Sequence, residues 1–212
     1  MKKLLTILLL GSLLFADSFE EAMKAYKEGK SIEAFQKFKP LAKNGDKEAQ
    51  FNLATMYLLS EGIKGDVNEA RMWYEKSALN GCKESAYNVA LLYEEEAKKG
   101  KKEGYVKAKA WYEKAIALGE HRSYNNLALL YLKGYSVKRD TNEALQLLLK
   151  GAQAGDSVAS LNVARLLAWE EGVTHDKLQA YTYLKRALKA GESEASGLLD
   201  RLCQESAWAC KN

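Results

Sequence analysis

The chain has 212 residues, of which 28% are charged and 47% hydrophobic, and its 32 lysines and arginines against 28 aspartates and glutamates give a net charge of +4. A balance this even argues against an extended nucleic-acid-binding surface, which needs a basic patch or stripe. The chain has three cysteines, so at most one disulfide can form within it.

The first segment, residues 1–16, is predicted to be a secretory signal peptide. Two lysines precede an apolar run of 12 residues, 4–15, and the small residue Ala16 stands at the expected cleavage site before Asp17. The run is too short to span a bilayer, which takes about 20 apolar residues. The alternative is a buried N-terminal helix. Removal of the segment leaves 30 of the 32 basic side chains, and we expect a periplasmic or secreted protein.

The folded part is predicted to begin with a shortened helix pair. The two helices are expected at 18–28 and 31–43, with Gly29 at the turn between them. Pro40 lies within the second helix and lacks the backbone N–H that the helix interior needs. We therefore expect a kink or an early break near Lys39.

From residue 45 onward, one pattern recurs with an almost constant period. A glycine marks each repeat, and the gaps between successive glycines are 36, 38, 36 and 36 residues, a period typical of helical repeat proteins. Small or aliphatic residues recur at positions 4, 8 and 9 after the first four glycines, so one face of a first helix is apolar. The marking glycines are Gly45, Gly81, Gly119, Gly155 and Gly191.

The second helix of a repeat is predicted to begin at an aspartate. Asp66, Asp140 and Asp176 are each followed three residues later by Glu or Gln, a capping-box arrangement in which the carboxylate accepts hydrogen bonds from free backbone N–H groups. An alanine and a large residue follow on the buried side. The next marking glycine then ends the helix, because glycine adopts the left-handed conformation at little cost.

These motifs resemble the Sel1-like repeat, a relative of the tetratricopeptide repeat. The resemblance rests on Gly-Asp-x-x-Ala-x-x-Asn-Leu-Ala-x-x-Tyr at 45–57, Asp-x-x-Glu-Ala at 66–70 and Trp-Tyr-x-Lys-x-Ala-x-x-Gly at 73–81. It covers roughly residues 17–210 and implies an all-α fold, a right-handed α/α superhelix or solenoid that offers a binding surface. The implied repeats are 17–44, 45–80, 81–118, 119–154 and 155–190, followed by a cap at 191–212.

The second glycine-marked repeat departs from the pattern. Tyr93 and Ala108 are 15 residues apart where the other repeats have 13, and Gly104 takes the place of the capping aspartate. The charged stretch 94–102 favours a longer, solvated helix end with Glu→Lys pairs four residues apart. The alternative is a charged loop that contacts a partner. The expected pairs are Glu94–Lys98 and Glu95–Lys99.

The last repeat is predicted to close the array. Asp200 replaces the close-packed alanine of the other repeats, and a further helix would have to bury its carboxylate. Cys203 and Cys210 lie seven residues apart, and in an oxidising compartment we expect a disulfide that holds the C-terminal segment. Cys82 has no mate at an equivalent position, and we expect it to be a buried small residue, with a mixed disulfide as the alternative.

The export signal and the cysteine pair resemble, more loosely, the exported cysteine-rich Sel1-repeat proteins of Helicobacter-like bacteria. Some of those relatives have been credited with penicillin binding or weak β-lactamase activity. No serine in this sequence has a lysine three residues on, and Lys-Thr-Gly is missing. Ser123-Tyr124-Asn125 matches one β-lactamase motif but stands alone. His121 and His175 lie in different repeats, so no metal centre is expected.

The candidate binding residues are amides that recur seven positions after the first four glycines. One interpretation is structural, with each amide bonding a backbone carbonyl of the adjacent helix. The other is an amide ladder that grips an extended peptide, together with groove positions assigned by analogy with tetratricopeptide grooves. The candidates are Asn52, Asn88, Asn126 and Asn162, with Phe51, Tyr87, Asn125 and Leu161 beside them and Thr55, Leu91, Leu129 and Arg165 one turn on.

The sequence therefore predicts an exported, non-catalytic scaffold that presents a groove to a protein or peptide partner. No phosphate-binding loop or Cys-x-x-Cys motif is present in the sequence, and neither a cofactor nor a metal is expected. We expect a monomer without a membrane-spanning segment once the signal is removed. The alternative is a penicillin-binding or β-lactamase-like hydrolase or a peptidoglycan-related binder, which turnover of a chromogenic β-lactam would distinguish.

Overall fold

A computed structural model of the protein describes residues 18–211, and every regular element in this range is a helix. The predicted signal peptide, 1–16, lies outside the described residues. The predicted all-α class is confirmed. The helices are α1 (18–27), α2 (Ser31–Lys43), α3 (Lys47–Leu59), α4 (Val67–Leu79), α5 (Lys83–Lys98), α6 (Glu103–Ala117), α7 (Arg122–Lys133), α8 (Thr141–Gln153), α9 (Ser157–Trp169), α10 (Lys177–Lys189) and α11 (Glu194–Glu205), followed by a 3₁₀ helix (Ala207–Cys210).

Neighbouring helices along the chain pack together, as the predicted helix pairs require. The backbone contacts divide the chain into two compact units, one up to Leu92 and one from Tyr93 onward, which we call the N-terminal unit and the C-terminal unit. In the first, α3 packs between α2 and α4; in the second, α7 packs on α8 and also contacts α9. Consecutive antiparallel pairs of this kind are the architecture of helical repeat proteins.

The core of each unit consists of small residues at close helix contacts and large residues between them. In the N-terminal unit, Ala54 and Ala70 are fully buried, and Phe38 and Tyr74 fill the space around them. The C-terminal unit repeats the scheme. Its fully buried residues include Ala128, Ala144, Ala164, Ala180, Tyr112, Leu148 and Leu184. The predicted apolar face of the first helices is confirmed, because the residues at positions 4, 8 and 9 of the first four repeats are buried.

Aspartates cap the second helices as predicted. The Asp66 carboxylate accepts a hydrogen bond from the backbone N–H of Asn68 at 2.8 Å, and Asp140 and Asp176 cap α8 and α10 in the same way. Asp46 and Asp156 cap α3 and α9, which the sequence analysis did not predict. All five marking glycines have φ between +90° and +98°, where other residues are strained, so each one can end a helix and turn the chain.

The expected early break near Lys39 and the expected cap at Gly104 are both wrong. Helix α2 runs through Pro40 to Lys43 without a break, because Pro40 is exposed in the last turn and removes only one hydrogen bond there. Gly104 is not a cap but a buried residue in the first turn of α6. A Cβ at Gly104 would lie 2.3 Å from the carbonyl oxygen of Tyr93, so glycine is required for close approach of the two helices.

The longer end of α5 is a solvated helix with paired charges, as predicted. Lys98 lies 2.8 Å from the Glu94 carboxylate and Lys99 lies 3.3 Å from that of Glu95. Such exposed pairs four residues apart contribute only a few tenths of a kcal/mol each, roughly 0.3–0.5. Residues 94–98 of the charged stretch thus belong to a helix end whose charges are paired.

The C-terminal segment carries the predicted disulfide, which joins Cys203 and Cys210 across a Cα–Cα distance of 5.7 Å. Ala209, between them, is fully buried. Cys82 is a free thiol, half-buried rather than buried as expected, and its sulfur lies 3.5 Å from the Glu84 carboxylate. Over residues 18–211, no helix combines the length and apolar character needed to cross a membrane.

Candidate binding face

Two of the recurring asparagines have hydrogen bonds that differ from those of the structural interpretation, in which each amide bonds a backbone carbonyl of the adjacent helix. Asn52 donates to the carbonyl of Glu48 in its own helix at 2.8 Å. Asn162 donates to the side-chain oxygen of Asn125, one repeat earlier, at 2.7 Å. The same position of the repeat therefore has different partners in different repeats.

In the two middle repeats the asparagine bonds a buried tyrosine hydroxyl. Asn88 is hydrogen-bonded to Tyr74, and Asn126 donates to Tyr112 over a long 3.4 Å. Both tyrosines lie seven residues before a marking glycine. At that position the other repeats have Phe38, Leu148 and Leu184, and all five side chains are almost fully buried. Where this position carries a hydroxyl, the asparagine of the next repeat bonds it. The bond then links the second helix of one repeat to the first helix of the next.

The network in the N-terminal unit is short and neutral. Thr55 and the Tyr74 hydroxyl are 2.8 Å apart, and Asn88 completes the group. Burial raises the pKa of Tyr74, while its hydrogen bonds to Thr55 and Asn88 act in the opposite direction. Phe51 packs edge-on against the same ring, with centroids 5.5 Å apart. The hydroxyl is thus satisfied inside the helix contact.

The network in the C-terminal unit is longer and charged. The Tyr112 hydroxyl donates to the Glu94 carboxylate at 2.6 Å. Asn125 donates to Asn126 at 3.2 Å, and Asn162 then donates to Asn125. The chain of hydrogen bonds runs from α5 through α6 and α7 to α9, and such networks fix helix positions because breaking any member leaves a polar group unpaired.

Arg165 extends this network to α11. Its Nη1 donates to the Asn162 side chain at 3.2 Å, and its Nη2 donates to Glu194. One repeat on, Arg201 lies 4.6 Å from the ring of Trp169. Both side chains are held by partners on neighbouring helices or on their own helix.

Glu205 joins Trp169 and Arg201. Its carboxylate accepts a hydrogen bond from the Trp169 indole N–H at 2.7 Å and one from Arg201 Nε at 2.8 Å. The bond from Trp169 and then that from Arg201 hold the pKa of Glu205 below its usual value. The carboxylate therefore links the Trp169 indole to the Arg201 guanidinium.

These side chains form one face of the first helices. It comprises positions 3, 7, 10 and 14 after a marking glycine, which repeat every three or four residues and so share one side of a helix. On α7, α9 and α11 all twelve such residues are half-exposed or exposed, and we call them the C-terminal face: Arg122, Asn126, Leu129, Lys133, Val158, Asn162, Arg165, Trp169, Glu194, Leu198, Arg201 and Glu205.

Sequence reasoning located this face only in part. Of the candidates at position 6, Phe51 and Tyr87 are half-exposed, whereas Asn125 and Leu161 are buried at 8% and 4% exposure. Trp169 was missed, although a comparison of position 14 across the repeats would have found it. Comparing positions 3, 10 and 14 in the last repeat would also have found Glu194, Arg201 and Glu205.

The one motif that resembled a catalytic one is in the core. Ser123 is 0% exposed, and within residues 18–211 its hydroxyl has no hydrogen-bond partner. A substrate cannot reach it without unfolding the helix contact. Within the same residues, no group of three or more His, Cys, Asp or Glu side chains is arranged to hold a metal ion.

Comparisons with known proteins agree with the repeat pattern. A family model described as the Sel1 repeat matches residues 47–82, 83–120, 121–156 and 157–192. The chain is similar to the solved Sel1 repeat protein from Oxalobacter formigenes, with 30% identity, coverage of 85% of this chain and 75% of that one, and a TM-score of 0.74. It shares a fold with the Helicobacter pylori cysteine rich protein B, at 21% identity, 64% and 98% coverage and a TM-score of 0.50. No curated protein matches the sequence.

Proposed function

The chain belongs to the Sel1 repeat family, whose repeats mediate protein–protein interactions, and we propose that it is an exported, non-catalytic scaffold for a protein or peptide partner. The observation that carries the proposal is the C-terminal face. Five of its side chains are accessible, yet hydrogen bonds already hold them in place: Asn162, Arg165, Trp169, Arg201 and Glu205. Binding there therefore costs the scaffold less side-chain entropy than binding at a mobile surface would.

Within this face we assign partner contacts first to Asn162, Arg165 and Trp169, because each is half-exposed and has donors or ring surface at the edge of the network. We assign Asn88 and Asn126 mainly to packing, since their amides bond buried tyrosines.

The N-terminal unit supplies its own candidates on the same side of the repeats. Phe51, Asn52 and Tyr87 are half-exposed there. Ring surface next to an amide suits an extended peptide, whose backbone offers donors and acceptors and whose side chains offer apolar area. We propose that these three residues contact a partner of this kind.

Export is the second part of the proposal. It is supported by the basic, apolar and small residues of 1–16 and by the disulfide between Cys203 and Cys210, which persists in oxidising compartments. Intact-mass measurement of protein from the cell envelope tests it. We expect a chain that begins at Asp17, and a mass that retains residues 1–16 would contradict export by cleavage.

Partner binding is tested by site-specific photo-crosslinking in cells. Val158 is the best site for the crosslinking residue, because it is 42% exposed on the C-terminal face and outside the hydrogen-bond network. Asn142, exposed on the second helix α8, is the matched control. We expect a discrete crosslinked protein from position 158 and none from position 142. Crosslinks from neither position, or equally from both, would contradict binding through this face.

A further inference from the structure

We infer that the C-terminal face binds an acidic segment of the partner, and that Arg165 and Arg201 contact its carboxylates. The inference rests on the proposed function and adds the chemistry of the partner. It follows from the charge of the face, from the way the arginines are held, and from the geometry that a guanidinium recognises.

The charge of this face is positive. The twelve positions carry four cations and two anions: Arg122, Lys133, Arg165, Arg201, Glu194 and Glu205. The same repeat positions on α3 and α5 carry three anions, Glu48, Glu84 and Glu95, and no cation. Charge complementarity mainly sets the choice of partner and the association rate. An acidic segment is therefore attracted to the face of the C-terminal unit.

The arginines are oriented before a partner arrives. Arg165 is tied to Asn162 and Glu194, and Arg201 lies over the Trp169 ring with its Nε on Glu205. The glutamates therefore act as tethers, and ordering an arginine for binding costs less when it is already held.

Donors remain available on both guanidinium groups. A guanidinium has five N–H groups. Arg201 uses its Nε on Glu205, and within residues 18–211 its two terminal nitrogens have no hydrogen-bond partner. Arg165 uses its terminal nitrogens on Asn162 and Glu194 and keeps Nε. Arg201 can thus offer two parallel N–H groups, the arrangement that matches a carboxylate.

The surroundings favour a carboxylate on a peptide side chain. The half-exposed Trp169 ring and Leu198 lie on the same face as the two arginines, and they can cover the methylene groups of a glutamate. An extended peptide also presents side chains at regular intervals along the repeats, with Arg165 and Arg201 at the same position of successive repeats.

The test uses synthetic peptides and the purified full chain. A 12-residue peptide in which Glu alternates with Gly or Ser is titrated into the protein by isothermal calorimetry. The control is the same peptide with Lys in place of Glu. We expect the acidic peptide to bind and the basic one not to bind. The affinity for the acidic peptide should fall as salt is raised, because exposed charges are screened.

Two matched variants locate the contact. The double variant Arg165→Gln with Arg201→Gln should bind the acidic peptide roughly tenfold more weakly. This is the loss expected for two exposed charge-assisted hydrogen bonds. Arg186→Gln, an exposed arginine on α10, should leave the affinity within about a factor of two. Arg165→Glu with Arg201→Glu should reverse the preference, so that the basic peptide binds. Melting curves of all variants identify any loss of fold.

Equal binding of the acidic and basic peptides would overturn the inference. So would an affinity for the acidic peptide that is the same in the Gln double variant as in the unmodified protein. Binding of neither peptide would overturn it as well. These results leave the proposed function standing if crosslinking from position 158 still captures a partner. Absence of that crosslink contradicts the proposed function itself, whatever the peptides do.

Discussion

The N-terminal and C-terminal units satisfy the same buried hydroxyl with different chemistry. Tyr74 and Tyr112 occupy one position of successive repeats and both bond the asparagine 14 residues later. The second partner is the neutral Thr55 in one unit and the Glu94 carboxylate in the other. The repeat therefore fixes where the hydroxyl lies, whereas neighbouring residues decide whether its network is neutral or charged.

Ser85 and Ser123 occupy the same position of successive repeats, and only Ser85 has a hydrogen-bond partner for its hydroxyl within residues 18–211. In the N-terminal unit, Ser85 donates to Ser77 at 2.7 Å, and Ser77 donates to the carbonyl of Lys47. In the C-terminal unit, Ala115 stands where Ser77 would be, and the hydroxyl of Ser123 is left without a partner within residues 18–211. A buried hydroxyl of this kind costs stability.

The largest expected effect comes from the tryptophans eight residues before the marking glycine. Trp73 is 7% exposed in the N-terminal unit, while Trp111, its equivalent in the C-terminal unit, is half-buried. Trp73→Ala should cost about 3–5 kcal/mol, because it empties a buried aromatic site. Trp111→Ala should cost roughly half as much, since less apolar area is lost. Urea unfolding of both variants measures the difference, and equal losses would contradict the assigned burial.

Replacing each tyrosine by phenylalanine compares the stability contributed by the neutral network with that contributed by the charged one. Tyr112→Phe leaves one oxygen of the Glu94 carboxylate without its donor and should cost about 1.5–3 kcal/mol, the range for hydrogen bonds to charged groups. Tyr74→Phe removes neutral bonds and should cost about 0.5–1.5 kcal/mol. The two replacements delete the same atom at the same repeat position. A larger loss at Tyr74 than at Tyr112 in chemical unfolding would refute the ranking.

The sequence predicted the parts of the structure that depend on backbone periodicity. Helix pairs, the aspartate caps at Asp66, Asp140 and Asp176 and the left-handed glycines all follow from local rules, and the disulfide follows from cysteine spacing. The partners of the asparagines could not be predicted in the same way, because they depend on the side chain 14 residues earlier, as Tyr74 and Tyr112 show. Gly104 was misread because close approach of two helices leaves no mark in a single helix pattern.

The serines should respond with opposite signs. Ser123→Ala removes an unpaired buried hydroxyl and should stabilise the protein by about 1 kcal/mol. Ser85→Ala removes a satisfied hydrogen bond and should destabilise it by a similar amount, about 1 kcal/mol. Thermal unfolding of the two variants side by side gives the sign directly. If both are destabilising, the hydroxyl of Ser123 has a partner after all.

The smallest effect appears only at alkaline pH. The hydrogen bond to Glu61, followed by burial, raises the pKa of Tyr26 to about 12. Since the folded value lies above the ordinary one near 10, this contribution to stability is complete below pH ~10 and is lost as pH rises towards ~12. Tyr26→Phe should therefore flatten the stability profile in that window. An unchanged alkaline profile would show that Tyr26 does not titrate in this way.

The most direct test of the account separates packing from binding in one double variant. Asn88→Ala with Asn126→Ala leaves two buried tyrosine hydroxyls short of a partner, so the account predicts a loss of about 1–3 kcal/mol and a lower melting temperature. It also predicts that crosslinking from position 158 continues at temperatures where the variant is folded. An unchanged melting temperature together with loss of the crosslink would contradict the account, because the recurring asparagines would then serve the partner rather than the fold.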